Sequence, residues 1–288
     1  MNLIPVERPE DFLLARQFLF PHEESCVSLA SLVRKKSDKL VFLTKSENAV
    51  IPSSSSHLLG ILNLDSTIYY CIPDTSQINA GQLADLLNSS GLLKKQVRCI
   101  SGEKSGSELL SKSINLIYKT EAAQKYLYKM MKLPSSKTEL PAQDLFNGDE
   151  IIRCTENDME RLHQLQKEYM KEEVAVPGRQ ITDAEVSLML RQILKNQLCF
   201  AMLTNGEPAA KANTNAIGFN CVQIGGVYTQ PLYRRNGYAA ALVTALCKRA
   251  LRASKHPVLF VKEKNTPALT LYQKIGFEEC GGYEILYY

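Results

Sequence analysis

Val227-Tyr228-Thr229-Gln230-Pro231-Leu232-Tyr233-Arg234-Arg235-Asn236-Gly237-Tyr238-Ala239 joins two periodic segments of different kind. Before it, residues 219–229 carry Val222, Ile224, Val227 and Thr229, a β-branched run that reads as a long strand. After it, Ala239, Leu242, Val243, Leu246 and Ala250 recur at helical spacing and predict a helix over 237–254. The stretch is therefore a strand, a loop over 230–236 and a helix whose N-terminus points out of the sheet. The first amides of such a helix have no internal partners and carry the positive end of the dipole, so a pyrophosphate is a natural ligand. Gly237 lets the backbone approach phosphate without a Cβ in the way. Ala239 keeps the next close-approach position small, and Arg234 and Arg235 add positive charge beside it.

A second landmark follows at Asn265-Thr266-Pro267-Ala268-Leu269-Thr270-Leu271-Tyr272-Gln273-Lys274-Ile275-Gly276-Phe277. Asn265 reads as an N-cap, Pro267 suits a first turn and Gly276 ends the helix. By itself Tyr272 reads as a core aromatic. In this order and at this separation, the two stretches resemble motif A and motif B of the GNAT superfamily of N-acetyltransferases.

That resemblance implies an acyl-donor substrate, acetyl-CoA, lying across Val227, Tyr228, Thr229, Arg234, Arg235, Asn236, Gly237, Tyr238 and Ala239, with Asn265 beside it. It also implies that two central strands splay where the thioester enters. A backbone amide near Val227 would then polarise the acetyl carbonyl, a neutral amine would attack directly, and Tyr272 would protonate the leaving thiolate. No metal is implied.

The general base is not legible. Glu168, Glu172 and Glu173 lie in a segment that borders the acceptor pocket in relatives, and Glu207 lies on a central strand, yet each also reads as a solvated carboxylate. His163 is expected to be exposed in mid-helix, His256 to end a helix, and Cys221 to be a core thiol. The run Lys211-Ala212-Asn213 looks like a GNAT subgroup in which a degenerate GNAT-like domain precedes the catalytic one, but that subgroup usually has an acid where Asn213 stands.

The expected fold class is α/β (α+β) in two domains. Residues 150–288 form a GNAT fold with a mixed, mostly antiparallel sheet flanked by helices, residues 1–132 a degenerate GNAT-like α/β domain, and 133–149 a linker. In the second half, strands are expected at 150–154, 198–204, 207–212, 219–229 and 258–262, with closing strands around Glu278 and over 283–288. Helices are expected from Asp158, from the capping box Thr182-Asp183-Ala184-Glu185, and over 237–254 and 266–275. In the first half, helices over 9–20, 23–35, 81–87, 105–113 and 121–131 accompany strands at 40–44, 58–62, 67–72 and 97–100. The serine-rich stretch 50–57 reads as a mobile loop. The first-half segment 73–81 lacks the basic pair of motif A, so this half is expected to cover one face of the catalytic domain without binding CoA.

Composition narrows the remaining classes. Thirty-four basic and 30 acidic residues, a formal charge of +4, are interspersed and form no nucleic-acid face. Eight cysteines stand singly in apolar segments, as free thiols of a reducing cytosol do. The acidic, proline-containing start is unlike a signal peptide, and no apolar run spans a membrane, so a cytoplasmic enzyme is expected. Its partner would be a small-molecule or protein amine; the oligomeric state, monomer or homodimer, is not legible. A non-catalytic acyl-CoA sensor is the alternative reading.

Overall fold

The computed structural model of the protein describes residues 1–45, 54–137, 140, 148–175 and 179–288. Along them the order of elements is stated twice. The first series is β1 (Asn2–Pro5), α1 (Pro9–Leu19), α2 (Val27–Arg34), β2 (Leu40–Thr44), β3 (Leu58–Asn63), β4 (Thr67–Cys71), α3 (Ala80–Ser89), β5 (Cys99–Glu103), α4 (Lys104–Tyr118) and β6 (Gln124–Lys132). The second is β7 (Asp149–Arg153), α5 (Met159–Tyr169), α6 (Asp183–Asn196), β8 (Cys199–Thr204), β9 (Glu207–Ile217), β10 (Cys221–Thr229), α7 (Tyr238–Arg252), β11 (His256–Lys262), α8 (Thr266–Ile275) and β12 (Glu278–Tyr287).

These strands form one twelve-stranded sheet in the order β1-β2-β3-β4-β5-β12-β6-β11-β10-β9-β8-β7. The pairs β4–β5 and β10–β11 are parallel, and the other neighbours are antiparallel. Read from either end, the sheet passes through five strands of one series and then a strand of the other. Each series thus hands its closing strand across: β6 lies against β11 and β12, and β12 lies against β5 and β6.

The exchange corrects the helix expected over 121–131, because Gln124–Lys132 is a strand. Tyr126 and Met130 are four residues apart, a spacing common to one face of a helix and one face of a strand. Lysine, glutamine and methionine favour a helix locally. Ladder partners on both edges, supplied from more than a hundred residues away, decide for the strand. Strand β1 was not expected either; its proline is tolerated at the sheet edge. The two closing strands expected after Gly276 are one, β12, with a register shift between Glu279 and Gly281. Of the serine-rich stretch, residues 50–53 lie outside the described residues, as do 138–139 and 141–147 of the expected linker.

Helices cover both faces of the sheet. In the second series, Leu242, Leu246 and Cys247 of α7 pack on Ala210, Ala212 and Ile224, while Leu162 and Leu165 of α5 and Leu190 and Leu194 of α6 pack on Cys199, Ala201 and Tyr228. The first series repeats this, with α3 and α4 on one face and α1 and α2 on the other. All eight cysteines are free and seven are buried. Among the described residues, no helix is long and apolar enough to cross a membrane.

A buried carboxylate ties the two series together. Glu23, 2% exposed, accepts from the backbone N–H groups of Asn220 and Cys221 at 2.9 and 3.0 Å and from Asn220 Nδ2 at 3.0 Å. Beside it Val27 packs on Ala216, Cys221 and Val258. Removing the acceptor would strand these donors in the interior, so Glu23→Ala should cost about 2–4 kcal/mol in denaturant unfolding. A segment beginning at residue 133 would lack β6 and leave the β11 edge open; expressed alone it should aggregate, and co-expression with residues 1–132 should recover soluble protein.

Candidate active site

The second series opens in the middle of its sheet. β10 runs beside β11 from Cys221↔His256 to Ile224↔Leu259 and then leaves it. On the other edge, pairing with β9 breaks between Gly225↔Asn213 and Tyr228↔Lys211, leaving Gly226 and Val227 in a bulge without register partners. Gly226 holds this bulge with φ +58°, and a Cβ there would stand 1.9 Å from Asn213 Oδ1. Only glycine meets both demands. Just beyond, the Thr229 hydroxyl is buried without a hydrogen-bond partner among the described residues.

From the bulge the chain passes through the loop to α7. Gly237 takes the N-cap position with φ +78°, and no side chain caps the first turn. The helix therefore presents its leading amides uncapped. Tyr238 does not project toward them: 4% exposed, its hydroxyl donates to Asp149 Oδ1 and accepts from Thr204 Oγ1, both at 3.0 Å, and anchors α7 to β7 and β8. Arg235 and Asn236 are exposed, and Ala239 is half-buried. Arg234 Nη2 donates to both carboxylate oxygens of Glu172 at 2.7 and 2.9 Å, its Nε donates to the Thr229 carbonyl at 3.1 Å, and the guanidinium lies over the Tyr228 ring at 5.7 Å. The expected Asn265 cap is present, its Oδ1 accepting from Ala268 N at 3.2 Å. Tyr272 is 8% exposed, edge-on to Phe277, and burial pushes its phenol well above the usual range.

Among the base candidates, Glu173 pairs with Lys262 at 3.0 Å and acts electrostatically on the Tyr272 phenol. Glu172 is held by Arg234, Glu168 accepts from Gln164 at 2.9 Å, and Glu207 is exposed at the β8–β9 turn opposite Thr204. His163 is half-buried against the Asp183 carbonyl rather than exposed, because α6 packs over α5. His256 does not end a helix: α7 stops at Arg252, and His256 opens β11, exposed. Cys221 is a core thiol, pushed up to about 12 by burial.

Two contributions were missed. The exchanged strand β6 brings Tyr126 and Tyr128 of the first series to β11, where Lys262 Nζ lies 5.8 Å from the Tyr126 ring and opposite Tyr128 in register. Nothing in the local sequence signals this. The second is Lys211, fully buried in mid-strand. Its Nζ donates to Asn213 Oδ1 at 3.1 Å and to the Gly226 carbonyl at 3.0 Å, and lies 4.6 Å from the Tyr169 ring. The signal was available: a lone charge among Ala209, Ala210 and Ala212.

Residues 159–277 match the acetyltransferase (GNAT) family. Among solved structures, the chain is similar to a Drosophila protein at 14% identity, with a TM-score of 0.66 and 99% and 98% of the two chains covered. It is similar to a GNAT-family acetyltransferase from Colwellia psychrerythraea at 14% identity, TM-score 0.57, with 100% and 99% covered. A tandem GNAT protein from the clavulanic acid biosynthesis pathway gives 10% identity, TM-score 0.58, with 99% and 97% covered. No protein of curated function matches the chain. The segment that matches the family lies within the second series of elements, from α5 through α8.

Because Gly226 combines a positive φ with a contact that excludes a Cβ, Gly226→Ala should cost about 1–3 kcal/mol in thermal or denaturant unfolding. An exposed loop substitution such as Leu232→Ala serves as the unaffected control.

Proposed function

We propose that this chain transfers an acetyl group from acetyl-CoA to a primary amine, and that the second half, residues 150–288, carries the reaction. The observation that carries the reading is the coincidence of two features on one strand–loop–helix unit: β10 parts from β11 after Ile224, and α7 begins with uncapped amides. On this reading the pyrophosphate rests on the N-terminus of α7 around Gly237 and Ala239, between Arg235 and Asn236, with Arg234 recruited from Glu172. Val227, Tyr228 and Thr229 run beside the pantetheine, and Asn265 sets the start of α8, which carries Tyr272.

The Val227 N–H, left free of the β9 register by the bulge, donates to the thioester carbonyl and to the oxyanion that develops from it. A neutral amine attacks the carbonyl carbon and the C–S bond breaks. One amine proton passes to a base, and Tyr272 gives its proton to the departing sulfur. Burial keeps that phenol protonated throughout the working range, as an acid requires. Glu173, the carboxylate that shares the surroundings of Tyr272, is the favoured base once freed from Lys262.

The corresponding helix of the first half begins differently: the Asn79 side chain accepts from Gly81 N and Gln82 N at 2.9 and 3.1 Å, so its leading amides are taken. The first half, ending at β6, is read as a scaffold, and the boundary between the units falls within 133–149.

Calorimetry with acetyl-CoA tests the reading directly. The chain should bind one equivalent, and Gly237→Val should weaken binding roughly tenfold or more, about 1.4 kcal/mol. Tyr272→Phe should keep the affinity and lower kcat by roughly 10²–10⁴ on a responsive amine. Binding without turnover on any amine would favour the sensor, and no binding would end the assignment.

A further inference from the structure

Among the described residues, no carboxylate pairs with the Lys211 ammonium. It is 0% exposed, on the face of β9 covered by α5, and the groups its Nζ reaches are the Asn213 amide oxygen, the Gly226 carbonyl and the face of Tyr169. Two are hydrogen-bond acceptors and the third is an electron-rich ring face, so an ammonium is satisfied there while a neutral amine would leave its lone pair unmet. Asn213 is braced in turn by donating Nδ2 to the Thr214 carbonyl and to Asn215 Oδ1, at 3.0 and 3.1 Å. An unpaired buried charge is costly, and core packing has no need of it.

The acceptor that Lys211 has selected gives the clue. Gly226 C=O and Val227 N–H belong to the same planar peptide group. Charge drawn from the carbonyl oxygen is passed through the amide resonance to the N–H on its other side, making that hydrogen a stronger donor. We infer that Lys211 is a positioning residue for acyl transfer, whose ammonium, held by Asn213, fixes the bulge peptide and polarises the Val227 N–H toward the thioester carbonyl. The inference rests on the reading of Val227 as the oxyanion donor. Lys211 itself touches neither substrate.

Its pH signature follows from its surroundings. Desolvation lowers the Lys211 ammonium to about 8, opposed by the nearby thiols. The titratable groups facing it are the thiols of Cys199 on β8 and Cys154 after β7 and the phenol of Tyr169 on α5; α6 contributes apolar side chains. Burial pushes Tyr169 up to about 12, and the hydrogen bond with Cys199, together with burial, pushes the Cys154 thiol upward. Cys199 is lowered by Cys154 and by the ammonium itself. A Cys199→Ala background removes the thiol that is lowered beside the lysine, and with it a contribution that raises the ammonium. Below about pH 8 the ammonium is present and the effect is complete; above it the effect is lost.

The test is isotope-edited infrared spectroscopy of the full chain with acetyl-CoA carrying ¹³C at the thioester carbonyl, alongside calorimetry. The bound carbonyl stretch should lie below that of free acetyl-CoA. Lys211→Met should return at least about half of that displacement with a dissociation constant within about threefold of wild type, and should lower kcat on the order of tenfold. Should Lys211→Met fail to fold, the Cys199→Ala chain carries the test: its stretch should climb toward the free value as pH rises, with a midpoint below the wild-type value of about 8 because the raising influence of Cys199 is gone. A stretch flat from about pH 6 to about pH 9.5 overturns the inference. So does a displacement that Lys211→Met retains, or bound acetyl-CoA with no displacement. Failure of the wild-type chain to take up acetyl-CoA overturns the cofactor reading instead.

Discussion

Backbone pairing at the centre of the sheet, where β6 and β12 meet after each has crossed to the other half, is the constraint on which the rest of this structure depends. β10 abandons β11 beyond Leu259, so Phe260, Val261 and Lys262 would lack a ladder partner on both edges if nothing lay on their other side. The exchanged strand supplies that side, with Met130, Lys129 and Tyr128 opposite them in register. The opening between β10 and β11 is thus held from behind by backbone contributed from the first half. Buried backbone groups must be paired, and the exchange meets that demand without closing the cleft.

The two halves share one plan yet differ where chemistry would occur. In the first half the position of the cleft is filled: Tyr70 on β4 lies against Gly102 and Gly106, and its hydroxyl bonds Ser107 Oγ and the Glu103 carbonyl. The first turn of α3 is capped by Asn79. In the second half the bulge stays open, and the first turn of α7 has no side-chain cap. A fold class defines where a site can be, and local satisfaction of polar groups decides whether it is kept free.

Lys211 shows how the interior of the second half serves the same opening. Its burial disfavours the charged form, and the bulge carbonyl, the Asn213 amide and the Tyr169 face offset that cost. With Asn213 in place of a carboxylate, the lysine is not neutralised by a neighbouring acid, and its charge falls on the peptide at the bend of β10.

Much of the local framework of the candidate site was legible before the fold was known, because its signals are local. The strand–loop–helix around Gly237, the Asn265 cap, the Thr182 capping box and the Asn205-Gly206 turn follow from side chains meeting backbone a few residues away, and the structure has each of them. What tertiary structure decided is what depends on distant partners. Gln124–Lys132 is a strand because β11 and β12 pair with it; Arg234 faces Glu172 and Tyr238 turns to Asp149 because the surrounding helices and strands bring those oxygens near. The sequence by itself determined a helix that begins at Gly237 with no side chain capping its first turn. Only the assembled sheet determined that a buried lysine bonds the carbonyl next to Val227, since that contact joins two strands across a bulge whose register no short stretch of residues encodes.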